Sequence, residues 1–151
     1  MKGQTIIEVL VALGAAVVVV TAIAIVVISA INNTQYSKNQ NLATQYAQQG
    51  MEILRQIRDS TYATFNTYNG TYCLDKDQTV LGGTVVDCTT PNVDSYIRKV
   101  VIEKSSPGCG NVITKVTVQV SWTDEKCTSG SYCHAIETTT CMGPADVVPT
   151  P

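Results

Sequence analysis

The run from Val9 to Ile31 constrains this chain more than any other feature. It holds 23 consecutive residues without a charge, built almost wholly from Val, Ile, Leu and Ala. As an α-helix at about 1.5 Å per residue it is roughly 35 Å long. A bilayer core is about 30 Å thick, so the run spans it with some tilt. A cleaved secretory signal is the first alternative, but its apolar region is usually about 7–15 residues and ends at a small-residue site. Here the run passes into Ile31-Asn32-Asn33 with no such site. A plain membrane anchor is the second alternative. It explains the run and leaves Glu8, the carboxylate at its mouth, without a purpose.

The helical pattern continues past the apolar run. From Asn32 to about Asp59 there is no proline and one glycine, Gly50. Apolar residues recur at Leu42, Tyr46, Ile53 and Ile57, with Met51 and Leu54 filling the same side. That is helical spacing on an otherwise polar segment, and the stripe needs a partner surface. Ser60-Thr61 and the aromatic "TYATFNTYNGTY" mark its exit, and Asn69-Gly70 is a turn signal.

"Gly3-Gln4-Thr5-Ile6-Ile7-Glu8" followed by an apolar helix resembles the processing motif of type IV pilins and of the pseudopilins of type II secretion. The resemblance implies a prepilin peptidase cut between Gly3 and Gln4, a methylated N-terminus on Gln4, and an assembly role for Glu8. It implies as partners the other pilin subunits, the peptidase and an inner-membrane assembly platform. The precursor would sit in the cytoplasmic membrane with its C-terminal head outside, then move into a surface filament. Two departures stand out: Gln4 replaces the usual aromatic, and the leader Met1-Lys2-Gly3 is short. There is also no proline in the apolar half, so no kink is expected. In this reading Glu8 is a register device. Opposite charges attract strongly in a low-dielectric core, and a buried unpaired one is heavily penalised. The freed amine of an incoming Gln4 would meet a neighbour's Glu8.

The remainder reads as an antiparallel sheet. Strands are expected over Ser95–Lys104, Val112–Trp122 and Tyr132–Cys141, separated by the loops "SSPGCGN" and "TDEKCTSGS". In the middle strand Val116, Val118, Val120 and Trp122 alternate with Lys115, Thr117, Gln119 and Ser121. The valine face is the natural seat for the helical stripe. The fold class expected is α+β: a long N-terminal helix, transmembrane then amphipathic, packed on a three- or four-stranded meander. The boundaries expected are leader 1–3, filament-core helix 4–31, amphipathic continuation 32–60, disulfide-rich β head 61–143 and flexible tail 144–151. "VTVQVSWTD" also resembles the late strand of PilV-like minor pilins and I-type pseudopilins.

All six cysteines follow residue 70, on the side expected to be exported, which suggests disulfides. Six cysteines allow 15 pairings. The strand order favours three. Cys73 and Cys88 flank one loop, Cys127 and Cys133 flank a hairpin turn, and Cys109 and Cys141 fall at one end of the sheet. A zinc set of Cys127, Cys133, His134 and Cys141 competes, without the usual C-x-x-C spacing.

Other chemistry is sparse. His134 is the sole histidine, and Gly82-Gly83 is a turn rather than a phosphate loop. Arg98, Lys99, Lys104 and Lys115 read as a solvated face, and the net charge of −2 gives no basic excess for nucleic acid. Asn69-Gly70-Thr71 and Asn32-Asn33-Thr34 fit a glycosylation sequon. No enzyme activity, cofactor or small-molecule substrate is expected. Three functions follow: a minor pilin or pseudopilin, a filament-borne adhesin or DNA receptor using the tyrosines of Tyr62–Tyr72, or a membrane-anchored thiol or metal protein.

Overall fold

The computed structural model describes residues 4–104, 108–109, 113–124, 126–128 and 131–144. Helix α1 runs from Gln4 to Ser60, and a single turn, α2, covers Tyr62–Phe65. Four strands follow: β1 (Gly70–Cys73), β2 (Ile97–Glu103), β3 (Thr114–Trp122) and β4 (His134–Met142). They form an antiparallel meander in the order β1-β2-β3-β4. The class is α+β, with a helix packed on the sheet and three disulfides.

The chain divides into two compact units, Met1–Lys38 and Asn39–Pro151. Within the second unit, Tyr96 donates its hydroxyl to the Asn39 carbonyl at 3.4 Å.

In the second unit, β3 organises the core. Its burial alternates without a fault, with Thr114, Val116, Val118, Val120 and Trp122 inward. Burying each valine contributes about 1.5–3 kcal/mol. The helical side that meets them is smaller than its large apolar residues suggested. Ala43, Ala47, Gly50, Met51, Leu54 and Ile57 are buried, while Leu42, Tyr46 and Ile53 are only half-covered. Alanine and glycine bring the helix axis close to the sheet: a Cβ built on Gly50 would stand 2.9 Å from Arg98 Cδ and 3.1 Å from Val118 Cγ1.

Strand limits shift from expectation. β2 begins at Ile97 because Asp94 takes a positive φ of 51° and a tight turn pairs Val93 with Tyr96. The expected start of β3 at Val112 lies outside the described residues. β4 starts two residues later and ends one later than expected, at His134 and Met142. The fourth strand is β1, which leaves the Asn69-Gly70 turn and pairs with β2. Of the tyrosines in Tyr62–Tyr72, Tyr62 and Tyr68 are half-buried and Tyr72 is buried, with Tyr68 meeting Tyr72 edge-on at 5.6 Å; Phe65 beside them is buried.

Candidate functional site

The first unit is a single helical segment with its apolar side chains outward on every face. From Ile6 to Ile31 the large apolar residues are 49–69 % exposed. The helix is long and apolar enough to cross a membrane. The one threonine of the Val9–Ile31 run causes no penalty there, since the Thr21 hydroxyl donates to the Val17 and Val18 carbonyls at 3.0 and 2.9 Å. Glu8 is exposed on this segment, one turn after the helix begins at Gln4. Gly3, the expected cleavage residue, lies outside the described residues.

In the second unit the cysteines pair as Cys73–Cys88, Cys109–Cys141 and Cys127–Cys133, with Cα separations of 5.7, 5.5 and 5.6 Å. These are the pairs that the strand order favoured. Cys141 is therefore taken from the competing zinc set.

Sequence reasoning missed the role of Arg98. The sequence groups it with Lys99, Lys104 and Lys115 as a solvated face, yet its side chain is fully buried. The alternation of β2 is the reason: Arg98, Val100 and Ile102 share the inward face. The guanidinium is satisfied by fixed acceptors. Nε donates to the Leu74 carbonyl at 2.9 Å and one terminal nitrogen to the Asp75 carbonyl at 2.6 Å. The other reaches the Tyr46 carbonyl and Gln49 Oε1, each at 3.2 Å. Burial lowers the Arg98 pKa from its ordinary value, against the opposing pull of Asp75 and Asp77. The backbone of Arg98 is held too, by a reciprocal pair of bonds with the Asn92 side chain at 2.7 and 2.9 Å. One side chain thus ties helix α1, strand β2 and the segment after β1. The three lysines do lie outside: Lys99 meets Asp87 at 3.1 Å, Lys115 meets Glu103 at 2.9 Å, and Lys104 donates to the Asn66 carbonyl. The Lys99 hydrogen bond, with the Cys88 N–H, holds the Asp87 carboxyl below its usual range.

Aromatic rings cross the core in a row. Tyr46 meets Tyr96 edge-on at 5.1 Å, Tyr96 meets Trp122 at 6.4 Å, and Trp122 stacks on His134 at 5.4 Å. At one end, Tyr46 donates to Asp94 Oδ2 at 2.5 Å, and this bond, reinforced by burial, raises the Tyr46 pKa. At the other, His134 Nε2 lies 3.0 Å from Asp124 Oδ2. Burial pushes the Asp124 carboxyl up, but the Lys126 N–H and His134 outweigh it and hold it below the usual range.

The outward sheet face is polar. Thr117 meets Thr139 at 3.0 Å and Gln119 donates to Glu137 at 2.6 Å. A shallow groove of about 450 Å³ opens beside it, lined by Asp87, Lys99, Gln119, Ser121 and Tyr132.

No family model, curated protein or solved structure matches this chain. Of the two units, one is a bare apolar helix carrying a carboxylate near its start. The other is a crosslinked head whose core is closed by a buried arginine.

Proposed function

We propose that this chain is a structural subunit, a minor pilin, of a type IV pilus-like filament or of a related secretion pseudopilus. The observation that carries the reading is Glu8 on a helical segment whose apolar side chains are exposed on all faces. A lipid bilayer accounts for the apolar surface. It does not account for an ionisable group, which costs about 2.5–3.5 kcal/mol at the centre of a span and less near its edge. A bundle of such helices accounts for both. Neighbouring helices cover the apolar faces, and the amine freed at Gln4 of one subunit neutralises Glu8 of another. The reading implies cleavage after Gly3 by prepilin peptidase, a single-pass precursor in the cytoplasmic membrane, and a head displayed outside. It assigns the chain no catalysis and no small-molecule substrate.

The test separates insertion from assembly. Glu8→Leu makes the helix more apolar, so the membrane level of the protein is retained. Incorporation into sheared filaments, or secretion by a pseudopilus, is lost. Glu8→Gln keeps the shape and removes the charge, so its failure identifies electrostatics as the cause. Mass spectrometry of the assembled protein is expected to show a mature start at Gln4. Normal incorporation of Glu8→Leu, or an intact Met1 on assembled protein, refutes the reading.

A further inference from the structure

At the β3–β4 turn, Asp124, Cys127, Cys133 and His134 each bring one donor atom to a common point, all within 4.8 Å of one another. We propose that this corner is a redox-gated site for a thiophilic divalent cation, zinc by preference: closed while Cys127–Cys133 is a disulfide, and formed when a dithiol reductant opens it. The inference does not depend on the filament reading.

The geometry needs little adjustment. Zinc binds thiolate sulfur at about 2.3 Å and imidazole or carboxylate donors at about 2.0–2.2 Å, so a tetrahedral site has edges of roughly 3.3–3.8 Å. His134 Nε2 and Asp124 Oδ2 already stand 3.0 Å apart. The two sulfurs need only separate once their bond is broken. The other donors are oriented in advance. His134 is stacked on Trp122 at an interplanar angle of 28°, and Asp124 is held by the Lys126 N–H at 2.8 Å on its other oxygen. Such supporting contacts are what a metal site requires of its surroundings.

The gate is also accessible. Cys133 is exposed, as is Cys141 of the Cys109–Cys141 pair, whereas Cys88 of the Cys73–Cys88 pair is buried; loop size then separates the two exposed bridges. The Cys127–Cys133 bridge spans 6 residues, against 15 and 32 for the others, so opening it releases the smallest loop. A thiolate of the reductant attacks Cys133 Sγ and Cys127 leaves as thiolate. The reductant's second thiol resolves the mixed disulfide, ending as a disulfide itself, while Cys127 and Cys133 gain the two electrons and two protons. The cation then displaces both thiol protons.

The full chain in detergent is reduced with a phosphine, which offers no thiol ligand, then alkylated with or without zinc and mapped by peptide. Zinc is expected to slow alkylation at Cys127 and Cys133 by about tenfold or more, while Cys73, Cys88, Cys109 and Cys141 react as before. A second variant avoids global reduction. Cys127→His leaves Cys133 as a free thiol beside His134 and Asp124, with the other two disulfides intact. It is expected to bind cobalt with thiolate charge-transfer absorption, and His134→Gln added to it weakens binding at least about tenfold. The absence of selective protection at Cys127 and Cys133 overturns the proposal. So does a cobalt spectrum that His134→Gln leaves unchanged.

Discussion

Replacing Arg98 by methionine keeps most of the buried stem and removes the guanidinium, so it measures what the charge does for the head. The substitution relieves the burial of a cation, which alone would stabilise. It also strands acceptors. The Tyr46 carbonyl lies within helix α1, where the backbone ladder already uses it, and Gln49 is near enough to the surface to find water. The Leu74 and Asp75 carbonyls lose the donors that hold them at 2.9 and 2.6 Å. A buried acceptor left without a partner costs about 1–3 kcal/mol. Leu74 supplies one such acceptor and Asp75, an exposed residue, a partly covered one, so the two give roughly 1–4 kcal/mol, of which the relieved desolvation returns a part. The expected net loss is about 1–3 kcal/mol, a sizeable share of the roughly 5–15 kcal/mol typical of a domain. The assay is urea unfolding of the full chain in detergent. Trp122 is the sole tryptophan and is buried in the head, so its fluorescence follows that unit. Arg98→Lys, with a single ammonium for several acceptors, should fall between wild type and methionine. A loss below about 1 kcal/mol for Arg98→Met, the scale of a surface substitution, would refute the claim that Arg98 closes the core.

Gly50→Val should destabilise the head by more than about 2 kcal/mol in the same unfolding assay, since even a Cβ there meets Arg98 and Val118 at 2.9 and 3.1 Å; a stabilised variant would show that the helix rides higher on the sheet. Tyr46 has a raised folded pKa, so its contribution is complete below the unfolded value of about 10 and is lost as pH rises through the folded one. The stability gap between wild type and Tyr46→Phe should therefore narrow above that pH, and a constant gap would contradict the Asp94 bond. Removing Cys109 and Cys141 together should cost about 3–4 kcal/mol against about 2–2.5 for Cys127 and Cys133, by loop-closure entropy across 32 and 6 residues; the reverse order in urea midpoints would contradict it.

The parts legible in the sequence were those with a period or a count. The uncharged run, the valine alternation of β3 and the cysteine spacing each limit the alternatives to a few. What escaped was carried by residues whose type argues against their place. Arg98 is a charged residue in an inward position. Its location was readable only by extending the alternation of Val100 and Ile102 by one more step. The buried helix side was sought among large apolar residues, whereas Ala43, Ala47 and Gly50 are covered because they are small. β1 has four residues, too few to show a period against the aromatic stretch before it. The Glu8 segment differs in kind. Its placement was plain from the sequence, and under the proposed function its chemistry would belong to neighbouring chains.

The Cys73–Cys88 bridge has a practical corollary. It fastens both ends of the intervening segment, whose Leu81 is buried and whose Val85 N–H bonds to the Thr71 carbonyl at 2.9 Å. Between those anchors Gly82, Gly83 and Thr84 are exposed, and no atom lies within 4 Å of a Cβ built on Gly83. Added chain at Gly82-Gly83 would lengthen a loop already closed by a covalent bond, and loop entropy grows only slowly with length. This is the position at which to insert a peptide epitope or a single labelling cysteine-free tag, leaving the sheet, the buried arginine and the N-terminal helix untouched.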